Sequence, residues 1–287
     1  MLKQAKNIPV PILMYHSVSY ASNPRFKQFA VTPAAFTEQM AYLSRHNYTP
    51  ITVTQLADAY TQNGLTLPER PVVLTFDDGF ADFLANALPV LQTYHFTATL
   101  YITTAFIDGT SRWLQHEGEA SRPMLSWQDV SEIAASGIEC GAHTHTHPQL
   151  DTLTASRAKN EIEQSKKLLE DHLGQEVASF AYPYGYFTAH VRQQVREAGF
   201  RSACAVKHAM STQNDHPFSL ARVMVSGDMD LEGFAGLITG QTTSAASALY
   251  MFYARARTPL WQLIRRNVAT MKRYSHKQQK ENLHYEK

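Results

Sequence analysis

Short apolar segments alternate with helical segments along most of the chain, and this alternation constrains the fold more than any other feature. Helical segments begin after Thr32, Ser126, Thr154 and Thr188, which are residue types that cap helix N-termini. Strands joined by helices are parallel, because a helical crossover brings the chain back to the end of the sheet where the previous strand began. Seven segments of five or six residues, rich in Val, Ile, Tyr and Phe, are predicted as strands: residues 12–16, 72–77, 97–102, 138–143, 177–182, 201–206 and 221–225.

Two α/β architectures fit seven parallel strands, an open doubly wound sheet and a barrel. No glycine-rich fingerprint follows the first strand, which argues against a dinucleotide-binding sheet. Residues 207–220 show no helical periodicity, which argues against a regular eightfold barrel. We therefore expect an irregular (β/α) barrel of about seven parallel strands, with a functional site at the carboxyl ends of the strands.

Two adjacent carboxylates follow the second predicted strand. Asp77 and Asp78 come directly after five apolar or hydroxyl residues and precede Gly79. One interpretation is a turn with a solvated pair of aspartates. The other is a metal ion that neutralises one of the two carboxylates.

Three histidines follow the fourth predicted strand at alternate positions, His143, His145 and His147. Alternate residues of an extended segment share one face, and imidazole is a common ligand of zinc-like metals. A surface cluster is the other interpretation, and the spacing does not choose among the three histidines. Cys140 lies three residues before His143, on the opposite face of the strand, and is predicted to be buried in the core.

Two further strands deliver polar groups to the same end. The fifth predicted strand ends in a turn around Tyr184, whose backbone N–H is suited to an oxyanion hole. The first strand ends at His16, and a lone histidine there is more often structural than catalytic. It gains interest because four strands now place chemically active groups at one end of the predicted barrel.

Three motifs make the chain resemble the polysaccharide deacetylases, also called carbohydrate esterase family 4. They are residues 75–79 (TFDDG), 143–147 (HTHTH) and 180–185 (FAYPYG), and the resemblance covers roughly residues 10–235. The resemblance implies an irregular (β/α) barrel and one divalent metal, usually Zn²⁺, with Co²⁺ or Ni²⁺ as alternatives. It also implies an N-acetylated glycan as the substrate.

The family pattern assigns roles to individual residues. It implies that Asp78, His143 and His147 bind the metal and that Asp77 is the general base for an attacking, metal-activated water. It implies removal of the N-acetyl group from an amino sugar in a polysaccharide or lipid-linked glycan, with Tyr184 in the oxyanion hole. The alternatives are a related metal hydrolase of another amide or acetyl ester, and a non-catalytic glycan-binding protein on the same fold.

The chain departs from the family pattern in two places. The arginine of the third motif, which supports the base, is replaced by Ala181, and Arg222 on the last strand is predicted either to supply that charge or to be a surface cation. The C-terminal catalytic histidine is also missing. A permuted subgroup that includes the biofilm poly-N-acetylglucosamine deacetylases carries it near the N-terminus, where residues 13–16 (LMYH) make His16 the candidate acid.

Charge is distributed unevenly along the chain. The net charge is +1, so we predict no nucleic-acid partner held by bulk charge, but residues 251–287 hold nine Lys and Arg against two Glu. We predict a polysaccharide deacetylase-like catalytic domain over residues 1–240 and a basic amphipathic helical extension over residues 241–287. Within the extension, residues 258–273 are predicted either to contact a membrane surface or to pack on the barrel.

Targeting signals are weak in this sequence. The apolar stretch after Lys3 and Lys6 is short and interrupted by prolines, so we expect no signal peptide. We therefore expect a cytoplasmic protein, which would be peripheral on the inner membrane face if the extension binds lipid. Two cysteines cannot build a disulfide framework.

Overall fold

The structure is a computed structural model that describes residues 8–20, 23–61 and 66–240. The predicted C-terminal extension at 241–287, including residues 258–273, lies outside the described residues. The boundary between the two predicted domains therefore stays a prediction. Among the helices described between residues 8 and 240, none combines the length and apolar content that crossing a bilayer requires.

The described residues form ten β-strands and seven α-helices. The strands are β1 (Ile12–Tyr15), β2 (Ser17–Val18), β3 (Ala30–Val31), β4 (Thr49–Ile51), β5 (Pro71–Phe76), β6 (Thr99–Ile102), β7 (Glu139–Ala142), β8 (Ser179–Ala181), β9 (Ser202–Val206) and β10 (Leu220–Met224). The helices are α1 (Pro33–Arg45), α2 (Val53–Thr61), α3 (Leu88–Thr93), α4 (Trp127–Ala135), α5 (Ala155–Leu173), α6 (Ala189–Glu197) and α7 (Leu231–Thr239).

Seven parallel strands close into a barrel. Their order is β1, β10, β9, β8, β7, β6 and β5, and β1 also pairs with β5, with Leu13 opposite Leu74. The short strand β4 pairs with the beginning of β5, on the edge that β6 occupies further along. The (β/α) barrel expected from the sequence is confirmed.

All seven predicted strands are present, with ends shifted by at most two residues. The four predicted helix caps are also present, and Ser126 forms a full capping box with Asp129. Residues 207–219, all within the described part of the chain, form no α-helix; they contain a short 3-10 turn and a β-bridge from Ser211 to Val10. This missing crossover helix is what makes the barrel irregular.

Successive residues of each strand supply two different cores. Ile12 and Val73 point into the barrel together with Tyr101 and Cys204, whereas Leu13 and Leu74 pack in the layer between the barrel and its helices. Cys140 is buried in that outer layer, as predicted, and both cysteines are free. The barrel is thus filled by side chains, and its carboxyl end is the place where polar groups collect.

Candidate metal centre and active site

Asp78, His143 and His147 meet at the carboxyl end of the barrel. Oδ1 of Asp78 lies 3.1 Å from Nε2 of His147 and 3.5 Å from Nε2 of His143. One potential ligand atom from each of the three residues lies within 4.8 Å of the other two, and all three side chains are buried. The structure therefore brings together the three residues that the sequence predicted as metal ligands.

The backbone at this cluster adopts conformations that few residues tolerate. Asp78 has φ of 80° and Gly79 of 86°, which turns the chain sharply after β5. His147 and Tyr184 also have positive φ, at 57° and 60°. Left-handed non-glycine residues persist only where the surroundings hold them, and they often cluster at functional sites.

His143 is held as a neutral imidazole with one nitrogen free. Its Nδ1 lies 2.8 Å from the carbonyl oxygen of Ala181, to which it donates, so Nε2 is left as an acceptor facing Asp78. Burial lowers the pKa of His143 to about 4, against the opposing charges of Asp77 and Asp78. Metal ions bind the neutral form of histidine, and this second-sphere hydrogen bond orients the ring for it.

The donor set fits one divalent cation. Oδ1 of Asp78 is buried and accepts no hydrogen bond from the described residues, although two imidazole nitrogens face it. Despite burial, which opposes ionisation, His147 holds the pKa of Asp78 well below its usual range, so the carboxylate is charged. One carboxylate oxygen and two imidazole nitrogens leave coordination positions open for water and substrate, as catalytic zinc-type sites require.

Asp77 points toward a buried arginine rather than toward the solvent. Arg222 on β10 donates from Nη1 to Oδ1 at 2.6 Å and from Nη2 to Oδ2 at 2.8 Å, and its side chain is 0% exposed. Burial by itself raises the pKa of Asp77, but the Arg222 charge and both hydrogen bonds outweigh it, so the pKa is lowered. Oδ2 of Asp77 lies 3.9 Å from Nε2 of His143, so an ionised carboxylate borders the ligand cluster.

The turn around Tyr184 lies beside the cluster. The Tyr184 ring is half exposed and its centre lies 4.9 Å from that of His147. A side chain on Gly185 would bring a Cβ atom within 2.6 Å of Val206 Cβ and 2.8 Å of the Val206 backbone nitrogen. Glycine is therefore required there, and the turn is fixed against β9 at the edge of the site.

His16 lies on the other side of the site, at the end of β1. Its ring packs edge-on against Phe29 with centres 5.0 Å apart, and its Nδ1 is buried without a hydrogen-bond partner among the described residues. Burial lowers its pKa, while the charges of Asp78 and Asp77 oppose that shift. His16 is therefore close enough to both carboxylates to interact with them electrostatically.

The remaining candidate histidine and two tryptophans have different surroundings. His145 turns away from the cluster, and its Nδ1 lies 2.9 Å from Thr104 Oγ1. Trp113 packs beside His147, with ring centres 5.2 Å apart. Trp127 stacks on His172 of α5, with ring centres 3.6 Å apart.

Two charged residues that sequence reasoning missed support this end of the barrel. Glu161 on α5 accepts hydrogen bonds from the loop that carries the histidines. Arg122 bonds Ser17, Ser19, Asp82 and Glu119. Neither belongs to a motif, and each contacts residues far away in the sequence, so no local signal identifies them.

Comparisons with known proteins identify relatives of this barrel. Residues 64–203 match the family model described as Polysaccharide deacetylase. YxkH of Bacillus subtilis strain 168, provisionally named a polysaccharide deacetylase, is 28% identical over 237 residues, covering 83% of this chain and 78% of YxkH. The poly-beta-1,6-N-acetyl-D-glucosamine N-deacetylase of Staphylococcus aureus strain MRSA252 is 24% identical over 218 residues, covering 73% of this chain and 72% of that protein.

A solved structure supports the same assignment. BC0361, a polysaccharide deacetylase from Bacillus cereus, superposes with a TM-score of 0.69 at 26% identity, over 81% of this chain and 69% of that one. The chain contains a polysaccharide deacetylase domain, matched over residues 64–203, and is a hydrolase of the deacetylase class.

Proposed function

We propose that this protein removes the N-acetyl group from an N-acetylated amino sugar within a polysaccharide or lipid-linked glycan. The observation that carries the proposal is the pair of adjacent aspartates with separate partners. Asp78 joins His143 and His147 in a metal-binding cluster, while Asp77 is held beside it by Arg222. This arrangement separates a candidate metal ligand from a candidate general base, the two roles that metal-assisted hydrolysis of an amide uses.

The proposed metal is held by Asp78, His143 and His147. When bound, a divalent cation polarises the carbonyl of the acetamido group and makes water more acidic. The donor set is compatible with Zn²⁺, Co²⁺ or Ni²⁺. All remaining steps use side chains and backbone groups of the chain itself.

Asp77 acts as the general base in this proposal. Arg222 keeps it ionised in a buried position, so its free electron pair is available to take the proton of the attacking water. The bidentate contact also fixes the direction of the carboxylate. Arg222 thereby provides the charge that the sequence lacks at Ala181.

Two further groups complete the proposed chemistry. The Tyr184 N–H, in the turn that Gly185 fixes, donates a hydrogen bond to the oxygen that becomes negative when water attacks the carbonyl. His16, across the site, gives a proton to the departing amine, which is a poor leaving group unless protonated. The products are acetate and a free amino sugar.

The substrate class is supported by the relatives. The Staphylococcus aureus protein is named for activity on poly-beta-1,6-N-acetyl-D-glucosamine, and this chain aligns with most of its length. Trp113, beside His147, is placed to contact a sugar ring, since aromatic faces pack well against pyranose rings. We therefore propose a polymer of N-acetylglucosamine as the preferred substrate.

Acetate release from a panel of glycans tests the proposed function. The full-length chain, loaded with Zn²⁺ or Co²⁺, is incubated with oligomers of β-1,4- and β-1,6-linked N-acetylglucosamine, lipid-linked N-acetyl sugars and O-acetylated xylan. We expect acetate and free amine from N-acetylated substrates. Release from the O-acetylated substrate alone would make the protein an esterase, and no release from any member would contradict the proposal.

A further inference from the structure

The loop that carries both histidine ligands is held from outside by a carboxylate of α5. Oε2 of Glu161 accepts a hydrogen bond from the backbone N–H of Thr146 at 2.7 Å and from that of His145 at 3.1 Å. Oε1 accepts a third from the Thr146 hydroxyl at 2.6 Å. Three donors of one short loop thus converge on a single residue that lies 14 positions beyond His147, and the His145 N–H is shared with the Glu161 backbone oxygen, also at 3.1 Å.

This loop needs outside support because its backbone conformation is unfavourable. Thr144 and His147 are both left-handed, with φ of 69° and 57°, and neither is glycine. Within the loop, the His147 N–H donates to Thr144 Oγ1 at 3.0 Å. The stretch between these two residues, His145 and Thr146, is the stretch that Glu161 binds.

A carboxylate suits this position because an ionised one only accepts hydrogen bonds. All three groups that face Glu161 are able to donate, so each of its bonds is satisfied. Hydrogen bonds to a charged acceptor are also stronger than those between neutral groups. Glu161 therefore ties the loop to α5, which packs firmly against the barrel through Ile162 and Leu169.

We propose that Glu161 is a positioning residue of the metal centre, acting through the backbone of residues 145–146. By holding this stretch, it sets the separation of the two Nε2 atoms that face Asp78. The inference rests on the metal site of the proposed function. In the metal-free protein, Glu161 preorganises the cluster, so that the ion need not order the loop when it binds.

Metal affinity of the full-length chain tests the proposal. The metal-free protein is titrated with Zn²⁺ in competition with a chelator, and with Co²⁺ followed by its visible absorption. We expect Glu161→Ala to raise the Kd by roughly 10–100-fold, the range found when outer-sphere partners of metal ligands are removed. Glu161→Gln raises it less, because the amide oxygen accepts both N–H bonds while its NH₂ donates to the Thr146 hydroxyl.

Glu163 provides the matched control. It lies on the same helix, about half exposed, and pairs with Lys159 at 3.6 Å on the surface. Glu163→Ala removes an equal charge and is expected to leave the Kd unchanged. A rise in Kd in both alanine variants would show a general effect of charge and would overturn the positioning role.

Amide hydrogen exchange gives a second measurement that needs no metal. In the metal-free protein, we expect a peptide covering residues 143–147 to exchange faster in Glu161→Ala than in wild type, with Glu161→Gln in between. If Glu161→Ala does not fold by circular dichroism, Thr146→Val removes one of the three donors and is expected to raise the Kd several-fold.

The outcomes separate this inference from the proposed function. A wild-type chain that binds neither Zn²⁺ nor Co²⁺ contradicts the metal site, and with it the role of Glu161. If wild type binds and folded Glu161→Ala binds equally well with unchanged exchange, only the role of Glu161 is overturned. An unchanged Kd in Thr146→Val would likewise overturn only the role of Glu161.

Discussion

Asp77 and Asp78 are neighbours in the sequence, yet each has a different electrostatic environment. Both oxygens of Asp77 accept from Arg222, whereas Oδ1 of Asp78 faces two imidazole nitrogens. The left-handed conformation of Asp78 turns the backbone between them. Two buried carboxylates so close together would repel each other, and their separate partners remove that conflict.

Replacing Asp77 by asparagine distinguishes the role of a general base from that of a metal ligand. We expect Asp77→Asn to lower kcat by ~10²–10⁴, the usual contribution of a general base, because an amide cannot take a proton from water. Binding of Zn²⁺ or Co²⁺ by metal titration should change little. His143→Ala is the comparison, since it should lose metal. An Asp77→Asn variant with wild-type kcat would remove Asp77 from the mechanism.

Removing Arg222 is expected to shift the pH dependence. Burial raises the pKa of Asp77 and Arg222 lowers it, so in Arg222→Met the pKa of Asp77 rises. The base is then protonated at higher pH, and the acidic limb of kcat/KM for the metal-loaded enzyme moves toward neutral pH. Arg201→Met, at a largely exposed arginine, is the control and should leave the limb in place. An unmoved limb in Arg222→Met would show that Arg222 does not tune the base.

The three histidines show which features of the site their spacing in the sequence can predict and which it cannot. Alternate spacing predicts that His143, His145 and His147 share a face, but only if the segment stays extended. The chain leaves the strand after Ala142 and becomes left-handed at Thr144, so His145 points to Thr104 instead. Spacing therefore located the candidate ligands, the family resemblance chose among them, and the structure shows why His145 lies apart from the other two histidines.

At the scale of elements, one arginine connects three segments around the mouth of the barrel. The Arg122 guanidinium donates hydrogen bonds to Ser17 and Ser19 after β1 and to Asp82 after β5. It also bonds Glu119, which lies with Trp113 in the segment between β6 and α4, called the β6–α4 insertion below. It also lies over the Phe26 ring at 4.7 Å, and its side chain is only 9% exposed. Arg122 thus connects the segment that follows His16 with the one that carries Trp113.

We expect Arg122→Met to destabilise the protein markedly. Removing Arg122 leaves the buried Glu119 and the partly buried Asp82 without their cation, and breaking a buried ion pair costs about 3–5 kcal/mol. Urea unfolding measures the loss in the free energy of unfolding. Arg112→Met, at an exposed arginine of the β6–α4 insertion, is the control and should change stability by less than about 0.5 kcal/mol. Equal stability of Arg122→Met and wild type would contradict the argument.

The elements differed in how well the sequence predicted them. The seven barrel strands were predicted because each lies in a short segment rich in apolar residues, which is a local signal. Strands β2, β3 and β4 and helices α2, α3 and α7 were not predicted. Helix α2 shows why: Val53 and Leu56 pack with the residues that fill the barrel, so part of its stability comes from contacts with distant strands.

At the scale of the whole molecule, the barrel closes because β1 pairs with β5 as well as with β10. Closure brings the carboxyl ends of seven strands around one opening. Residues 16, 77, 184 and 222, separated by up to 206 positions, therefore face a common space. A single open sheet would have spread the same residues along an edge.

The basic C-terminal extension leads us to predict that the whole chain binds anionic membranes. We expect the full-length protein to bind vesicles of phosphatidylglycerol, but not of phosphatidylcholine, in a flotation assay, with binding weakened by salt. Replacing Arg265, Arg266, Lys272 and Arg273 by glutamine should reduce binding, because Arg and Lys near an anionic surface contribute about 1 kcal/mol each. Undiminished binding by the substituted chain would contradict membrane contact through residues 258–273.

Local patterns in the sequence were enough to predict the class of fold and the end of the barrel at which the candidate site lies. Strand and helix patterns depend on residues a few positions apart, and they placed Asp77, Asp78 and the three histidines at strand ends. The tertiary structure decided which groups meet. Arg222 reaches Asp77 across 145 positions, and Glu161 and Arg122 bind loops from other elements. Such contacts depend on the closure of the barrel, which no local pattern encodes.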